Sequence, residues 1–282
     1  MRLLIINADD LGFAPGVNRG ILAAHEAGTL TSASMMVTTP AFDEAVALVH
    51  QRAPRLGVGL HLNLIAGRPL TGESTLTDPR TGELHPLPQL AARALRGRIH
   101  PADVRRECDA QLAALARARI RPTHVDSHRH AHALPGVLPA VLASARDAGV
   151  RIVRRPLDRP PLGNPIVAAK MLVLHAAWRA AAASLDAPSQ ELAARAPHFR
   201  GIALQGAPNV EERLCALLEA LPFGATELMM HPGYDDAVLA AQDPYRAERE
   251  REVAALRSAA VRERLARGDI RLVTFDALAL PR

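Results

Sequence analysis

The chain has 282 residues, of which 49% are hydrophobic and 22% are charged. This length is enough to bury a sizeable core, and this composition excludes an intrinsically disordered protein. The net charge of +5 comes almost entirely from arginine, because Lys170 is the only lysine. These arginines are scattered along the chain instead of forming a dense stripe, so we expect no nucleic-acid partner.

Strand-like apolar runs alternate with segments of helical periodicity along the chain. The predicted strands lie at 3–6, 31–38, 56–64, 123–127, 150–153, 227–230 and 270–275. Two predicted helices begin at Pro15 and Thr39, and two more are indicated by apolar stripes at 104–115 and 137–145. A further helix is predicted to begin at Asn209, which resembles the start of a capping box, and a charged helix is predicted at 246–266. Residues 65–100 show no clear period and are predicted to form a long loop insertion.

This alternation predicts an α/β fold with a parallel sheet and right-handed crossovers. Seven or eight strand–helix units in this length fit a single-domain, distorted (β/α) barrel over residues 1–282. The sequence contains neither of the glycine-rich motifs that bind dinucleotides or nucleotide phosphates.

Membrane insertion and secretion are not expected. The apolar run near the start is too short for a signal-peptide core. The longest apolar stretch, 166–178, is interrupted by Lys170 and His175 and is too short to span a bilayer. We therefore expect a cytoplasmic protein without a stable membrane span.

Polar residues are concentrated where four predicted strands end. They are Asn7, Asp9 and Asp10 after the first strand, His61 and Asn63 in the third, Asp126, His128, His130 and His132 after the fourth, and His231 with Tyr234 after the 227–230 strand. Each cluster alone is typical of a polar turn, a helix cap or a hydrogen-bonded core histidine. Their shared position at the active-site rim of a β/α barrel favours a functional site.

The residue types in these clusters suit metal-assisted hydrolysis. One carboxylate and two imidazoles leave positions open on a divalent ion, as in catalytic metal sites. A second carboxylate beside the ion can accept a proton from water, and a histidine opposite can protonate a leaving group. The sequence therefore predicts hydrolysis of an amide or ester.

The same segments resemble the YdjC-type carbohydrate deacetylases, which include chitooligosaccharide deacetylases and the hopanoid-associated HpnK proteins. The matching segments, which lie in family order, are Asn7-Ala8-Asp9-Asp10-Leu11-Gly12, Gly59-Leu60-His61-Leu62-Asn63, Asp126-Ser127-His128-Arg129-His130 and His231-Pro232-Gly233. The resemblance implies a (β/α) barrel related to the NodB-type polysaccharide deacetylases.

The resemblance also implies roles for individual residues. Asp10, His61 and His128 match the metal ligands, Asp9 matches the general base, and His231 lies where a catalytic or substrate-orienting histidine is expected. Asp126 is expected to orient a neighbouring histidine and is grouped with Asn63, His130, His132 and Tyr234 in the substrate-binding set. Arg249 and Glu252 also match the family, but their spacing of three is typical of a surface ion pair, so they are left outside the predicted site.

The predicted function is a metal-dependent hydrolase that removes an acetyl group from an N-acetylated amino sugar, cleaving a linear amide C–N bond. The ion is one of Zn, Co, Ni, Mn or Mg. Two rival hypotheses remain: a deacetylase of a lipid-linked or secondary-metabolite amino sugar, and a non-catalytic sugar- or metal-binding protein. A homodimer is also left open.

The aromatic content favours a monosaccharide or short oligosaccharide as substrate. Clefts that bind long polymers stack sugar rings on rows of aromatic side chains. This chain has eight aromatic residues, and Phe13, Trp178, Tyr234 and Tyr245 are those expected near the rim.

Overall fold

The computed structural model describes residues 1–159 and 164–279. The chain forms two compact units. The first contains Met1–Met35, Thr39–Val58 and the residues from Pro197 onward; the second contains Met36–Thr38 and Gly59–Ala196. The single-domain organisation of residues 1–282 stays a prediction.

The strands are short apart from the first and the sixth. They are β1 (Arg2–Leu11), β2 (Ser32–Met35), β3 (Gly57–Leu62), β4 (Val125–Ser127), β5 (His198–Arg200), β6 (Gly224–Met230) and β7 (Ile270–Leu272). The helices are α1 (Pro15–Glu26), α2 (Phe42–Arg52), α3 (Leu87–Leu95), α4 (Pro101–Arg117), α5 (Leu138–Asp147), α6 (Pro165–Ala182), α7 (Ala187–Ala194), α8 (Val210–Glu219), α9 (Ala237–Gln242), α10 (Ala247–Arg257), α11 (Ala259–Ala266) and α12 (Asp276–Ala279), and a 3₁₀ segment covers His128–Ala133.

The seven strands form one sheet in the order β4-β3-β2-β1-β6-β5, with β7 also paired to β1. Every pairing described between named strands is parallel. This arrangement confirms the predicted α/β fold of the (β/α)-barrel class, with helices connecting the strands.

Strand β1 lies at the centre of the first unit because its apolar run is buried on both faces. Leu4, Ile5 and Ile6 have no exposed surface. Continuous apolar runs of this kind are typical of parallel strands covered on both sides by helices. Strand β1 pairs with β6 in unbroken register from Arg2 opposite Gly224 to Ala8 opposite Met230. The residues that follow Ala8 and Met230 are thereby placed side by side.

Several sequence-based element predictions need correction. The 150–153 segment makes a single parallel bridge, Val125 to Val153, instead of a named strand. The 246–266 helix is two helices, because Ser258 has extended backbone and its hydroxyl accepts the Val261 N–H to start α11. The 65–100 insertion contains the nine-residue helix α3. Asn209 precedes α8 as predicted, but its side chain makes no capping hydrogen bond.

Among the described residues, no helix combines the length and the apolarity needed to cross a membrane.

Candidate active site

The first unit carries Asp9 and Asp10 at an irregularity in β1. The β1–β2 register shifts between Ala8 and Leu11, and Asp10 has φ 72°, in the left-handed region that favours glycine. Both carboxylates are 2% exposed. Bulges of this kind redirect side chains, and left-handed backbone at a residue other than glycine is concentrated at functional sites.

Asn7 and His231 flank the Asp9 carboxylate. The Asn7 amide donates to Asp9 Oδ1 at 2.9 Å and to Ser34 Oγ at 2.8 Å. His231 follows directly after β6, and its Nε2 lies 4.0 Å from Asp9 Oδ2. Asp9 is thus held on one side by an amide donor and faces an imidazole on the other.

Asp10 forms a buried ion pair with Arg249 of α10. Arg249 Nη2 lies 2.6 Å from Asp10 Oδ2 and 2.8 Å from Asp243 Oδ2. Burial disfavours the charged guanidinium, but the two carboxylates outweigh it and raise the pKa of Arg249. Arg249 and Glu252 are 1% and 2% exposed, so the interpretation of this pair as a surface ion pair is wrong.

Two glycines of α1 set the path of the chain after His231. A Cβ atom built on Gly20 would lie 2.5 Å from the Cα of Gly233, and one on Gly16 would lie 2.0 Å from the Tyr234 carbonyl oxygen. Non-bonded atoms do not come this close to a real Cβ atom, so only glycine allows this approach. The close packing fixes the segment that carries His231 against α1.

The second unit places His61 and Asp126 directly opposite each other on β3 and β4. His61 Nδ1 lies 2.8 Å from Asp126 Oδ1, and Asp126 Oδ2 lies 2.6 Å from Arg154 Nη2. Burial penalises the carboxylate charge, but Arg154 and His61 hold the pKa of Asp126 well below its usual range. Asp126 is therefore ionised and lies within hydrogen-bond distance of His61 Nδ1; its role in orienting a metal-binding histidine stays a prediction.

His128 and His130 lie in the 3₁₀ segment after β4. The His128 ring meets the His61 ring edge-on with 5.6 Å between centroids. Arg129 and His130 both have left-handed backbone, with φ 51° and 56°. This local distortion lets adjacent residues of a short segment present side chains in directions that a regular helix does not allow.

His132 and Asn63 are enclosed by protein groups, which argues for structural roles instead of the predicted substrate contact. His132 is fully buried, with Nδ1 2.6 Å from Ser127 Oγ and Nε2 2.9 Å from the Arg154 carbonyl oxygen. Burial lowers the pKa of His132 to about 4. The Asn63 side chain bonds Thr38 and the backbone of Ile65 and Ala66, and so shapes the turn after β3.

Of the aromatic side chains expected near the rim, Phe13 and Trp178 are 4% and 5% exposed. The Trp178 ring packs edge-on against His132. Tyr234 is half-buried, and its hydroxyl lies 3.4 Å from Arg257 Nη1. Of Phe13, Trp178 and Tyr234, Tyr234 is therefore the most accessible to a ligand.

The described residues that could supply ligands to a metal ion are Asp9 and Asp10 in the first unit and His61, Asp126 and His128 in the second. Asp126 already bonds Arg154 and His61. One carboxylate with two imidazoles, the ligand types of Asp10, His61 and His128, suits a divalent transition metal.

A family model described as YdjC-like protein matches residues 3–267. The chain belongs to the YdjC-like family. The predicted family resemblance is thereby confirmed.

Similar YdjC-like relatives and a solved structure span most of the chain. A protein of Brevibacillus brevis named carbohydrate deacetylase is 33% identical over 282 residues, covering 98% of this chain and 99% of its own. A mouse protein of the same name is 34% identical over 259 residues, covering 82% and 78%. The crystal structure of a putative cellobiose-phosphate cleavage protein from Enterococcus faecalis is 26% identical, with a TM-score of 0.77 and 99% of each chain covered.

Two partners of the aspartate pair, Asn7 and Arg249, were noticed in the sequence but were not included in the predicted site. Asn7 belongs to the recognised Asn7-Ala8-Asp9-Asp10 segment, and its position two residues before Asp9 on one strand face was an available signal. Arg249 is 239 residues from Asp10. Its spacing from Glu252 gave no indication of burial, so its pairing emerges only from the fold.

Proposed function

We propose that the protein is a hydrolase that removes the acetyl group from an N-acetylated amino sugar, with one divalent metal ion bound by Asp10, His61 and His128. Membership of the YdjC-like family and similarity to proteins named carbohydrate deacetylase support the reaction class. The structural observation that carries the proposal is the pairing of Asp9 with His231.

The spacing of Asp9 and His231 suits proton transfer on both sides of a reacting carbonyl. His231 Nε2 and Asp9 Oδ2 are 4.0 Å apart, too far for a direct hydrogen bond. A single atom between them can lie within the roughly 2.6–3.2 Å that proton transfer requires of each group. A water molecule or an amide nitrogen fits that position.

Asp9 and His231 would carry the proton transfers of this reaction. Asp9 accepts a proton from water while the water oxygen forms a bond to the acetamide carbonyl carbon, and the π pair of the C=O bond moves to the carbonyl oxygen. The C=O bond re-forms as the C–N bond breaks, the C–N electron pair passes to nitrogen, and the nitrogen takes a proton from His231 Nε2. The proton on Asp9 returns to His231 or to solvent. Acetate and a free amino sugar are the products, and the hydrogen bond that the Asn7 amide donates to Asp9 orients Asp9 for the first step.

The donor set fits a metal ion. Since His61 Nδ1 faces Asp126, Nε2 is the atom that would ligate, which is the usual carboxylate–histidine–metal arrangement. Bound there, the ion would polarise the carbonyl and lower the pKa of water. Zinc, cobalt, nickel and manganese suit imidazole ligands, whereas magnesium suits them less well.

We propose a monosaccharide or a short chitooligosaccharide-like chain as substrate. The enclosure of Phe13 and Trp178 removes two of the four aromatic faces that could stack sugar rings. We expect turnover to stop rising once the substrate exceeds about four sugars, because few aromatic faces remain to bind further rings. A steady rise beyond that length would contradict this choice.

The deciding experiment measures acetate release from N-acetylglucosamine and its oligomers. The purified protein is first treated with chelator and then reloaded with Zn, Co, Ni, Mn or Mg in turn. Release that depends on one of these ions supports the proposal. No release from free, oligomeric, nucleotide-linked or lipid-linked amino sugars would favour the non-catalytic binder.

One observation favours a second candidate, a lipid-linked amino sugar as substrate. Helix α6 leaves large apolar side chains exposed: Ile166 at 70%, Leu172 at 63% and Val173 at 70%. An apolar patch of this kind can contact a lipid or a second copy of the chain. A fall in turnover of a lipid-linked substrate on Val173→Ser, with free-sugar turnover unchanged, would support a lipid-linked substrate.

Location in the cytoplasm and a homodimer stay predictions.

A further inference from the structure

Glu252 is a buried carboxylate of α10 that holds the segment carrying His231. Glu252 is 2% exposed. Oε2 accepts the backbone N–H of His231 at 2.5 Å, and Oε1 accepts the hydroxyl of Tyr245 at 2.5 Å. One carboxylate therefore fixes both the backbone of His231 and a neighbouring aromatic side chain.

Tyr245 forms a wall beside the His231 ring. The two rings meet edge-on, with 5.9 Å between centroids and 71° between planes. The Tyr245 hydroxyl also accepts the N–H of Gly206 at 2.8 Å. Burial and the Glu252 carboxylate raise the pKa of Tyr245, so its hydroxyl stays protonated and donates to Glu252.

The His231 ring lacks the anchor that many catalytic histidines have. Among the described residues, its Nδ1 is buried without a hydrogen-bond partner. In a catalytic triad a carboxylate at this nitrogen orients the ring. Here the orientation depends instead on the backbone bond to Glu252 and on packing against Tyr245.

We propose that Glu252 is a positioning residue for His231, through which it controls protonation of the departing amine. This inference rests on the proposed function. Glu252 holds the His231 backbone and the Tyr245 ring together, and so keeps Nε2 facing the nitrogen of the breaking C–N bond. Glu252 itself contacts neither substrate nor the reacting atoms.

The test compares two substrates with different leaving groups. An acetamide sugar needs a proton on its departing nitrogen, whereas the phenolate of 4-nitrophenyl acetate leaves without one. A Gln side chain has one acceptor oxygen where Glu has two, so the Tyr245 hydroxyl and the His231 N–H can no longer both donate to this side chain. We expect Glu252→Gln to lower kcat on the acetamide by about 10- to 100-fold with KM little changed, and to change 4-nitrophenyl acetate turnover by less than about threefold.

Controls separate positioning from general damage. Glu248→Gln, on the same helix and paired with Arg251, should leave both turnovers unchanged. In a His231→Ala background, Glu252→Gln should add less than about a twofold loss, because residues that act through one group are not additive. Equal losses of kcat on both substrates would overturn the proposal. So would a Glu252→Gln loss in the His231→Ala background that is as large as in the unmodified protein. If Glu252→Gln does not fold, Tyr245→Phe carries the same test, since it removes only the hydroxyl.

A spectroscopic readout keeps the inference apart from the proposed function. Carbon-13 labelling of histidine allows the ring resonance of His231 to be assigned from His231→Ala. Glu252→Gln should shift or broaden that resonance, whereas Glu248→Gln should not. An unchanged resonance overturns the positioning role. Absence of acetate release by the unmodified protein overturns the deacetylase function alone.

Discussion

The Arg249 guanidinium and the Asp10 carboxylate form an ion pair of 2.6 Å in which both side chains are 2% exposed. Arg249 also pairs with Asp243 at 2.8 Å. The single guanidinium is thus shared by two carboxylates in the part of the first unit that contains the proposed general base. Buried charges of this kind are stable only while they are paired.

Replacement of the Arg249 side chain by an uncharged one should destabilise the protein strongly. Arg249→Met leaves Asp10 and Asp243 without their shared partner, and we expect the free energy of unfolding to fall by about 3–5 kcal/mol. Urea denaturation measures the change. Arg251→Met is the matched control, because its side chain on the same helix is 42% exposed and its loss should cost no more than about 0.5 kcal/mol. Equal stability of the two variants would contradict the structural role of Arg249.

Substitutions of the two adjacent aspartates should have different effects. Asp10→Asn replaces the proposed charged ligand, so metal content by elemental analysis should fall. Asp9→Asn should retain the metal but lower kcat by about 100-fold or more, the scale of losing a general base.

Exposed Asp43→Asn on α2 provides the control for loss of a carboxylate and should change neither quantity. An Asp9→Asn protein that is metal-free, or metal-loaded and fully active, would disprove this division of roles.

Gly20→Ala should lower activity even though alanine favours helices. The added methyl group would lie 2.5 Å from the Cα of Gly233, so the segment carrying His231 must shift. We expect the free energy of unfolding to fall by about 1–3 kcal/mol and acetate release to fall with it. Arg19→Ala, at the neighbouring exposed position of α1, should change little. A variant stabilised by about 1 kcal/mol, as helix propensity alone predicts, would argue against the close contact.

Stability should decrease as the pH falls from about 6.5 to 4, because of His132. Burial lowers the pKa of His132 from 6.5 to about 4. In this window the unfolded chain binds a proton that the folded chain does not, so the folded state loses up to about 3 kcal/mol relative to the unfolded state. Above pH 6.5 neither state is protonated and the contribution is fully present.

Denaturation of His132→Gln at several pH values tests this dependence. The variant should be less stable near pH 7 and show a smaller slope between pH 6.5 and 4, whereas exposed His50→Gln should keep the slope of the unmodified protein. The low pKa of Asp126 affects stability only where unfolded aspartate begins to bind a proton, below about pH 5, so the slope between pH 6.5 and about 5 reports on His132. An unchanged slope in His132→Gln would show that another group is responsible.

The parts of the fold that periodicity encodes were predictable from the sequence. The apolar run of β1 and the proline at the start of α1 predict a buried strand followed by a helix, and the structure contains both. Strand β5, by contrast, is only His198, Phe199 and Arg200. Its pairing with β6 gives it a strand conformation that its own residues do not indicate.

The candidate site was predictable as a set of residue types but not as a set of contacts. His130 and His132 lie two residues apart in the same histidine-rich segment, yet His132 is fully buried whereas His130 is partly exposed. Arg129 and His130 both have left-handed backbone, which no periodic pattern predicts. Pairing of Arg249 with Asp10 depends on the long-range packing of α10 against α1.

The pairing of β1 with β6 and β7 has a consequence for biosynthesis. The second unit is nearly continuous in sequence, whereas β1 must wait for partners that follow it by more than two hundred residues. At the usual rates of translation, this delay is on the order of ten seconds or more. A nascent chain released before Arg249 would carry His61 and His128 but could not complete the surroundings of Asp9 and Asp10. A chain truncated between Ala196 and Arg249 should therefore lack catalysis although its second-unit sequence is intact.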